Sequence, residues 1–151
     1  MGKLLAQALD LPFIDLDVEI EKQEGKAIKE IFNTVGEDYF RTVESTTLQQ
    51  WAGSDKNFVM ATGGGAPCFH DGITVINNAG VSVFLDTPIN EIVSRIQTDT
   101  NRPLLVASPG IELETKLQGI RKNRLGCYQQ AKISITDSNP DTVLRELKFK
   151  M

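Results

Sequence analysis

Apolar positions along the chain recur at two spacings, and the alternation between them predicts helices and strands in turn. Leu4, Leu5, Ala8 and Leu9 fall on one helical stripe that Asp10 and Pro12 bring to an end. A short apolar run then predicts a strand at about 12–16, and helix resumes over 18–22 as far as a turn at Gly25. Ile28, Ile31, Phe32 and Val35 make a second stripe that stops at Gly36, where a longer helix begins and runs over 37–51 with Phe40, Val43, Thr47 and Trp51 inward. Further strands are predicted at 58–61, 81–85 and 133–136. The first of these has so little polarity that it reads as buried on both faces. Helices are predicted over 89–95, 111–130 and 141–147, and the polar stretch at about 97–110 reads as a mobile loop. Strands alternating with helices imply an α/β fold, a three-layer αβα domain whose parallel sheet is covered on both faces.

Composition narrows the class of partner. The 151 residues are one domain's worth, and 16 basic against 20 acidic residues leave a net charge of -4. That balance argues against a nucleic-acid surface and for a small-molecule partner. No apolar run approaches the roughly 20 residues that a membrane helix needs. The N-terminal stretch is too short for a secretory signal, so a cytoplasmic location is expected. Cys68 and Cys127 are far apart, with no C-x-x-C pair, so the expectation is reduced thiols without a zinc site or disulfide framework.

Candidate chemistry gathers at strand ends, where parallel α/β sheets bind ligands. Asp15 and Asp17, two apart, are expected on one face of the first strand, either solvated or holding a metal ion or substrate between them. Gly63, Gly64 and Gly65 follow the next strand directly. They form either an anion-accepting concavity of backbone N–H groups or a plain flexible turn. Arg41 lies between Glu37 and Glu44 and fits a surface ion pair as well as a binding fork. Arg102 in the polar loop suits a lid over phosphate or a solvated loop charge. Arg124 and Tyr128, one turn apart, fit a site or an exposed helix side. His70 reads as a turn residue.

Four ordered blocks carry a resemblance: Phe13-Ile14-Asp15-Leu16-Asp17; Ile28-x-x-Ile31-Phe32-x-x-x-Gly36-Glu37-x-x-Phe40-Arg41-x-x-Glu44; Thr62-Gly63-Gly64-Gly65-Ala66; and Asn101-Arg102-Pro103-Leu104-Leu105. Together they resemble the shikimate kinase family. The resemblance implies a nucleoside-monophosphate-kinase-like fold that transfers the γ-phosphoryl of ATP to the 3-hydroxyl of shikimate with Mg2+, as a monomer. By the same resemblance Asp17 binds the reacting hydroxyl and accepts its proton, and Asp15 holds magnesium through water. Arg41 and Arg124 clamp the substrate carboxylate, and Glu44 fixes the Arg41 fork. Gly63, Gly64 and Gly65 meet the substrate and the γ-phosphate, and Phe32 and Phe40 wall the pocket. Arg102 and Arg95 cover the phosphates. The chain is then one domain over 1–151, with a substrate-binding helical segment at about 18–52 and a lid at about 97–112.

One family feature is missing from the sequence. The phosphate-binding run G-x-x-x-x-G-K-[ST] does not occur, and Gly2-Lys3 aligns inside the helix that follows it. In the family's sheet order, 2-3-1-4-5, the absent first strand is central, between the strands at 58–61 and 81–85. The expectation is that the functional protein begins upstream of Met1 and that residues 1–151 alone are unstable or bind ATP abnormally. The rival readings are a catalytically inactive homologue acting as a binding or interaction protein, and a kinase of the same fold acting on gluconate or a nucleotide.

Overall fold

The computed structural model describes residues 1–98, 110–136 and 139–150. Its elements are α1 (Gly2–Leu9), β1 (Phe13–Asp15), α2 (Leu16–Glu24), α3 (Ile28–Ala52), β2 (Val59–Ala61), a 3₁₀ turn (Ala66–Cys68), α4 (Gly72–Ala79), β3 (Val83–Leu85), α5 (Ile89–Thr98), α6 (Gly110–Tyr128), β4 (Ile133–Ile135) and α7 (Pro140–Lys150). The predicted alternation is therefore present, with strands shorter than the apolar runs that announce them.

Each predicted boundary has a local cause. Asp10 closes α1 in the left-handed conformation, and its N–H bonds back to the helix. Gly25 does the same for α2. Gly36, at φ 87°, interrupts the long α3 where the two apolar stripes meet, so 28–35 and 37–52 are two helical runs joined by a kink. Asn139 accepts a hydrogen bond from the Asp141 N–H at 2.9 Å and caps α7.

The strands pair in parallel as β1 with β2 and β3 with β4, in registers Phe13 to Val59 and Val83 to Ile133. Among the described residues these are two separate two-stranded sheets. The pairs are those expected of the family order with its middle strand left out. One expectation fails here: Val59, Met60 and Ala61 are half-buried, because β2 has a hydrogen-bonded neighbour on one side only.

Two apolar clusters hold the molecule together. Leu16, Ile20, Ile31, Phe40, Leu48 and Ala66 bury α2 and α3 against the turn after β2. Leu5, Ile133, Ile135, Val143 and Leu147 join α1, β4 and α7, and both Val59 of β2 and Val83 of β3 pack against this second cluster. Complete burial of Leu16 and Ile20 places the start of α2 firmly, at about 1.5–3 kcal/mol per side chain. No helix among the described residues is long and apolar enough to cross a membrane.

Candidate active site

The first strand ends one residue earlier than its pattern predicts, and this changes the two acids. Asp15 is the last residue of β1 and the N-cap of α2; its carboxylate accepts the Asp17 N–H at 3.1 Å. Asp17 stands exposed in the first turn of α2. The pair therefore does not share a strand face. The Asp15 cap starts α2 at Leu16, so a cap and a helix residue replace the expected alternation. One oxygen of Asp15 is committed to the cap, and the other remains able to meet a hydrated cation.

From α3, Arg41 reaches the turn after β2. Its Nη1 donates to Glu44 at 2.8 Å, and its Nε and Nη2 donate to one oxygen of Glu37 at 3.2 and 3.1 Å. The two acids are not equivalent. The Glu44 side chain is only 4% exposed and that of Glu37 is 55% exposed. The pattern put Val43 and Thr47 inward on this helix and did not predict a buried Glu44. Arg41 accounts for it, because a buried carboxylate needs a paired donor. Burial pushes the Glu44 carboxyl above the ordinary glutamate range, against the hydrogen bond and charge of Arg41; the charge of Asp17 raises it further and that of Arg124 lowers it. Asp17, Arg41 and Arg124 thus all act on the Glu44 carboxyl.

The glycines make room for these side chains. Gly63 turns the chain at φ 71°. A Cβ on Gly65 would lie 2.2 Å from Arg41 Nη1, and one on Gly64 would lie 3.1 Å from the Tyr128 hydroxyl and 3.6 Å from Arg124 Nη1. The space beside Gly64 and Gly65 is thus taken up by the Arg41 and Arg124 guanidiniums and the Tyr128 phenol. Tyr128 donates to the Gly64 carbonyl at 2.8 Å, so α6 is tied to the glycine turn. Burial raises the Tyr128 phenol despite Arg124.

Aromatic rings complete the site. Phe32 and Phe40 lie 4.7 Å apart, and Arg41 stands 5.1 Å from the Phe40 ring. Phe69, to which the sequence reading gave no role, lies 4.2 Å from the Arg41 guanidinium and 5.9 Å from that of Arg124. A shared ring face helps two like charges stand close together. Only its position directly behind the glycine run and the 3₁₀ turn could have pointed to it. Burial first, then Cys127, push the Cys68 thiol up to about 12, against the pull of Arg124 and Arg41.

The remaining expected residues divide. Arg95, on α5, is an exposed residue in an ion pair with Glu91. Arg102 and most of the expected lid fall at 99–109, outside the described residues. Among the described residues no group of three His, Cys, Asp or Glu side chains is arranged to hold a metal. A cation here would take few protein ligands, as Mg2+ does when phosphate and water complete its shell.

Comparison with known proteins assigns this arrangement. The family model described as shikimate kinase matches residues 1–149. The shikimate kinases of Persephonella marina and Clostridium botulinum (strain Eklund 17B / Type B) are similar to the chain at 36% and 37% identity; the alignments cover 97% and 98% of this chain and 87% and 86% of theirs. The crystal structure of shikimate kinase from Bacteroides thetaiotaomicron superposes with a TM-score of 0.90 at 32% identity, over 99% of this chain and 88% of that one. That of the Acinetobacter baumannii enzyme in complex with shikimate gives 0.87 at 32% identity, over 99% and 85%. The two half-sheets, the glycine turn and the arginine cluster are thus laid out on a three-layer α/β phosphotransferase scaffold, and the chain belongs to the shikimate kinase family.

Proposed function

We propose that this chain serves the shikimate kinase reaction, ATP-dependent phosphorylation of the shikimate 3-hydroxyl, through Arg41 and Arg124 as a carboxylate clamp and Asp17 as proton acceptor. The observation that carries the reading is the convergence of two guanidinium groups on Phe69, against Gly64 and Gly65, with buried Glu44 behind. Two cations held this close form a site for an anion, and a planar fork matches a carboxylate. Exposed Glu37 occupies part of the Arg41 fork and is the group that an incoming carboxylate displaces. Asp17, in the first turn of α2, acts electrostatically on Glu44 and so lies near the same cluster. With ATP bound, the exposed Asp17 carboxylate accepts the hydroxyl proton as the oxygen attacks phosphorus. Mg2+, held from Asp15, would neutralise phosphate charge.

The phosphate side calls for a further parallel strand between β2 and β3, ending in a G-x-x-x-x-G-K-[ST] loop. Supporting this are the two unconnected parallel pairs and the shared cluster that Val59 and Val83 both meet. The same gap favours one rival, a chain that binds shikimate without turning it over. Calorimetry with shikimate and the Arg41→Lys variant tests the clamp. Lysine lacks the bidentate fork, so affinity should fall at least about tenfold, about 1.4 kcal/mol. Unchanged affinity would refute it.

A further inference from the structure

We propose that Asp86 and Arg121 are positioning residues for the substrate: their ion pair fixes the stretch of α6 that carries Arg124 and leaves Arg124 as the guanidinium that this helix offers to the carboxylate. The proposal rests on the reading of Arg124 as half of the carboxylate clamp.

Arg121, Arg124 and Tyr128 stand three and four residues apart on α6 and so share one face of the helix. Phe84 lies inside β3, and Asp86 follows the end of that strand directly. The two elements meet at matched places. Arg121 Nη2 donates to Asp86 Oδ1 at 2.6 Å, and the Tyr128 ring stacks on Phe84 with 5.0 Å between centroids. Tyr128 is held a second time by the Gly64 carbonyl, at 2.8 Å. Arg124 is thus bracketed by two residues that other elements hold in place.

The bracket matters because α6 has little else to fix it here. Leu113 is completely buried near its start, and none of residues 114–128 is buried. Asp86, by contrast, is a fixed post. Its N–H donates to the Ile135 carbonyl at 2.8 Å beyond the paired residues of β3 and β4, and the next residue, Thr87, is buried. Asp86 also lies at the carboxyl end of its strand, the edge at which parallel α/β sheets bind ligands.

Charge gives the pair a second effect. Arg121 and Arg124 are like charges one turn apart on one helix, and such charges repel. An unpaired Arg121 would push Arg124 aside and offer a second cation to the same anion. Asp86 answers that charge. The side chains of Arg121 and Asp86 are 38% and 29% exposed, so the pair adds little to global stability, and its effect lies in where Arg124 stands. The contact is a single N–H on one oxygen and not a fork, so a lysine can make it.

The test uses the whole chain with Asp86→Asn, Arg121→Gln and Arg121→Lys. NMR of the arginine Nε–Hε groups reads placement without substrate, the Arg124 and Arg41 signals being assigned by their loss in Arg124→Gln and Arg41→Lys. Asp86→Asn and Arg121→Gln should each move the Arg124 signal and leave that of Arg41, with little change in melting temperature. Calorimetry should find shikimate bound about fivefold more weakly by both, and Arg121→Lys within about twofold of the unsubstituted chain. An unmoved Arg124 signal, or equal movement of the Arg41 signal with a fall in melting temperature, would overturn the positioning. So would native affinity in Asp86→Asn and Arg121→Gln, or a lysine variant as weak as the glutamine one. An unsubstituted chain that binds no shikimate would overturn the clamp reading instead, and the Arg124 signal would still decide the positioning.

Discussion

The arginine cluster and the two half-sheets differ in how far each is completed by its own residues. In the cluster the polar groups find partners within the chain: Arg41 has Glu37 and Glu44, Tyr128 has the Gly64 carbonyl, and both guanidiniums stand by Phe69. In the sheets, β2 and β3 each hydrogen-bond on one side only among the described residues. In the proposed reading, recognition of an anionic substrate falls to α3, the glycine turn and α6, whereas the phosphate side calls for a strand that would join the two halves. On that reading, substrate binding and phosphoryl transfer are expected to be separable in this chain.

The sharpest way to break that comparison is to complete the sheet. Fusing a strand and a G-x-x-x-x-G-K-[ST] loop ahead of Met1 should raise shikimate-dependent ATP turnover at least about a hundredfold over residues 1–151, since positioned phosphate contacts supply most of the catalysis. In the fused form Asp17→Asn should remove most of that gain. Equal turnover with and without the segment would show that the half-sheets are already sufficient.

A smaller effect is expected within the cluster. Gly65 has an ordinary helical backbone, φ -86°, so alanine is strained only by what it meets, and that is the far end of Arg41. Gly65→Ala should push the guanidinium aside and weaken shikimate binding about tenfold with little change in melting temperature. A loss of folding in place of affinity would make Gly65 a structural residue.

Glu44→Gln reads the buried charge through pH. Because burial holds its carboxyl above the ordinary value of 4.5, the native chain takes up this proton before the unfolded chain does. Stability contributed by protonation is therefore present at low pH and lost as pH rises through the folded value. Denaturant titrations from acid to neutral pH should show that decline in the unsubstituted chain and a flatter curve in Glu44→Gln. Parallel curves would mean that Arg41 fully offsets the burial. Glu37→Gln should matter least. Its ion pair is exposed and worth less than about 1 kcal/mol, so stability should hardly move, and shikimate affinity should rise slightly as a competitor leaves the fork.

What the sequence by itself determined was periodic or positional. Helical stripes, the break at Gly36 and the four strands follow from spacing, because apolar period and turn residues act locally, and the family from the resemblance of the ordered motifs. The arginine and glycine positions were legible through the ordered motifs. Only the tertiary structure decided what those residues face. Asp17 lies in a helix because Asp15 caps α2 from Leu16 onward, Glu44 turned inward because Arg41 pairs with it, and Phe69 came to lie beside two guanidiniums. The Tyr128 hydroxyl on the Gly64 carbonyl likewise joins a turn and a helix far apart in the chain, and such contacts leave no period in a sequence.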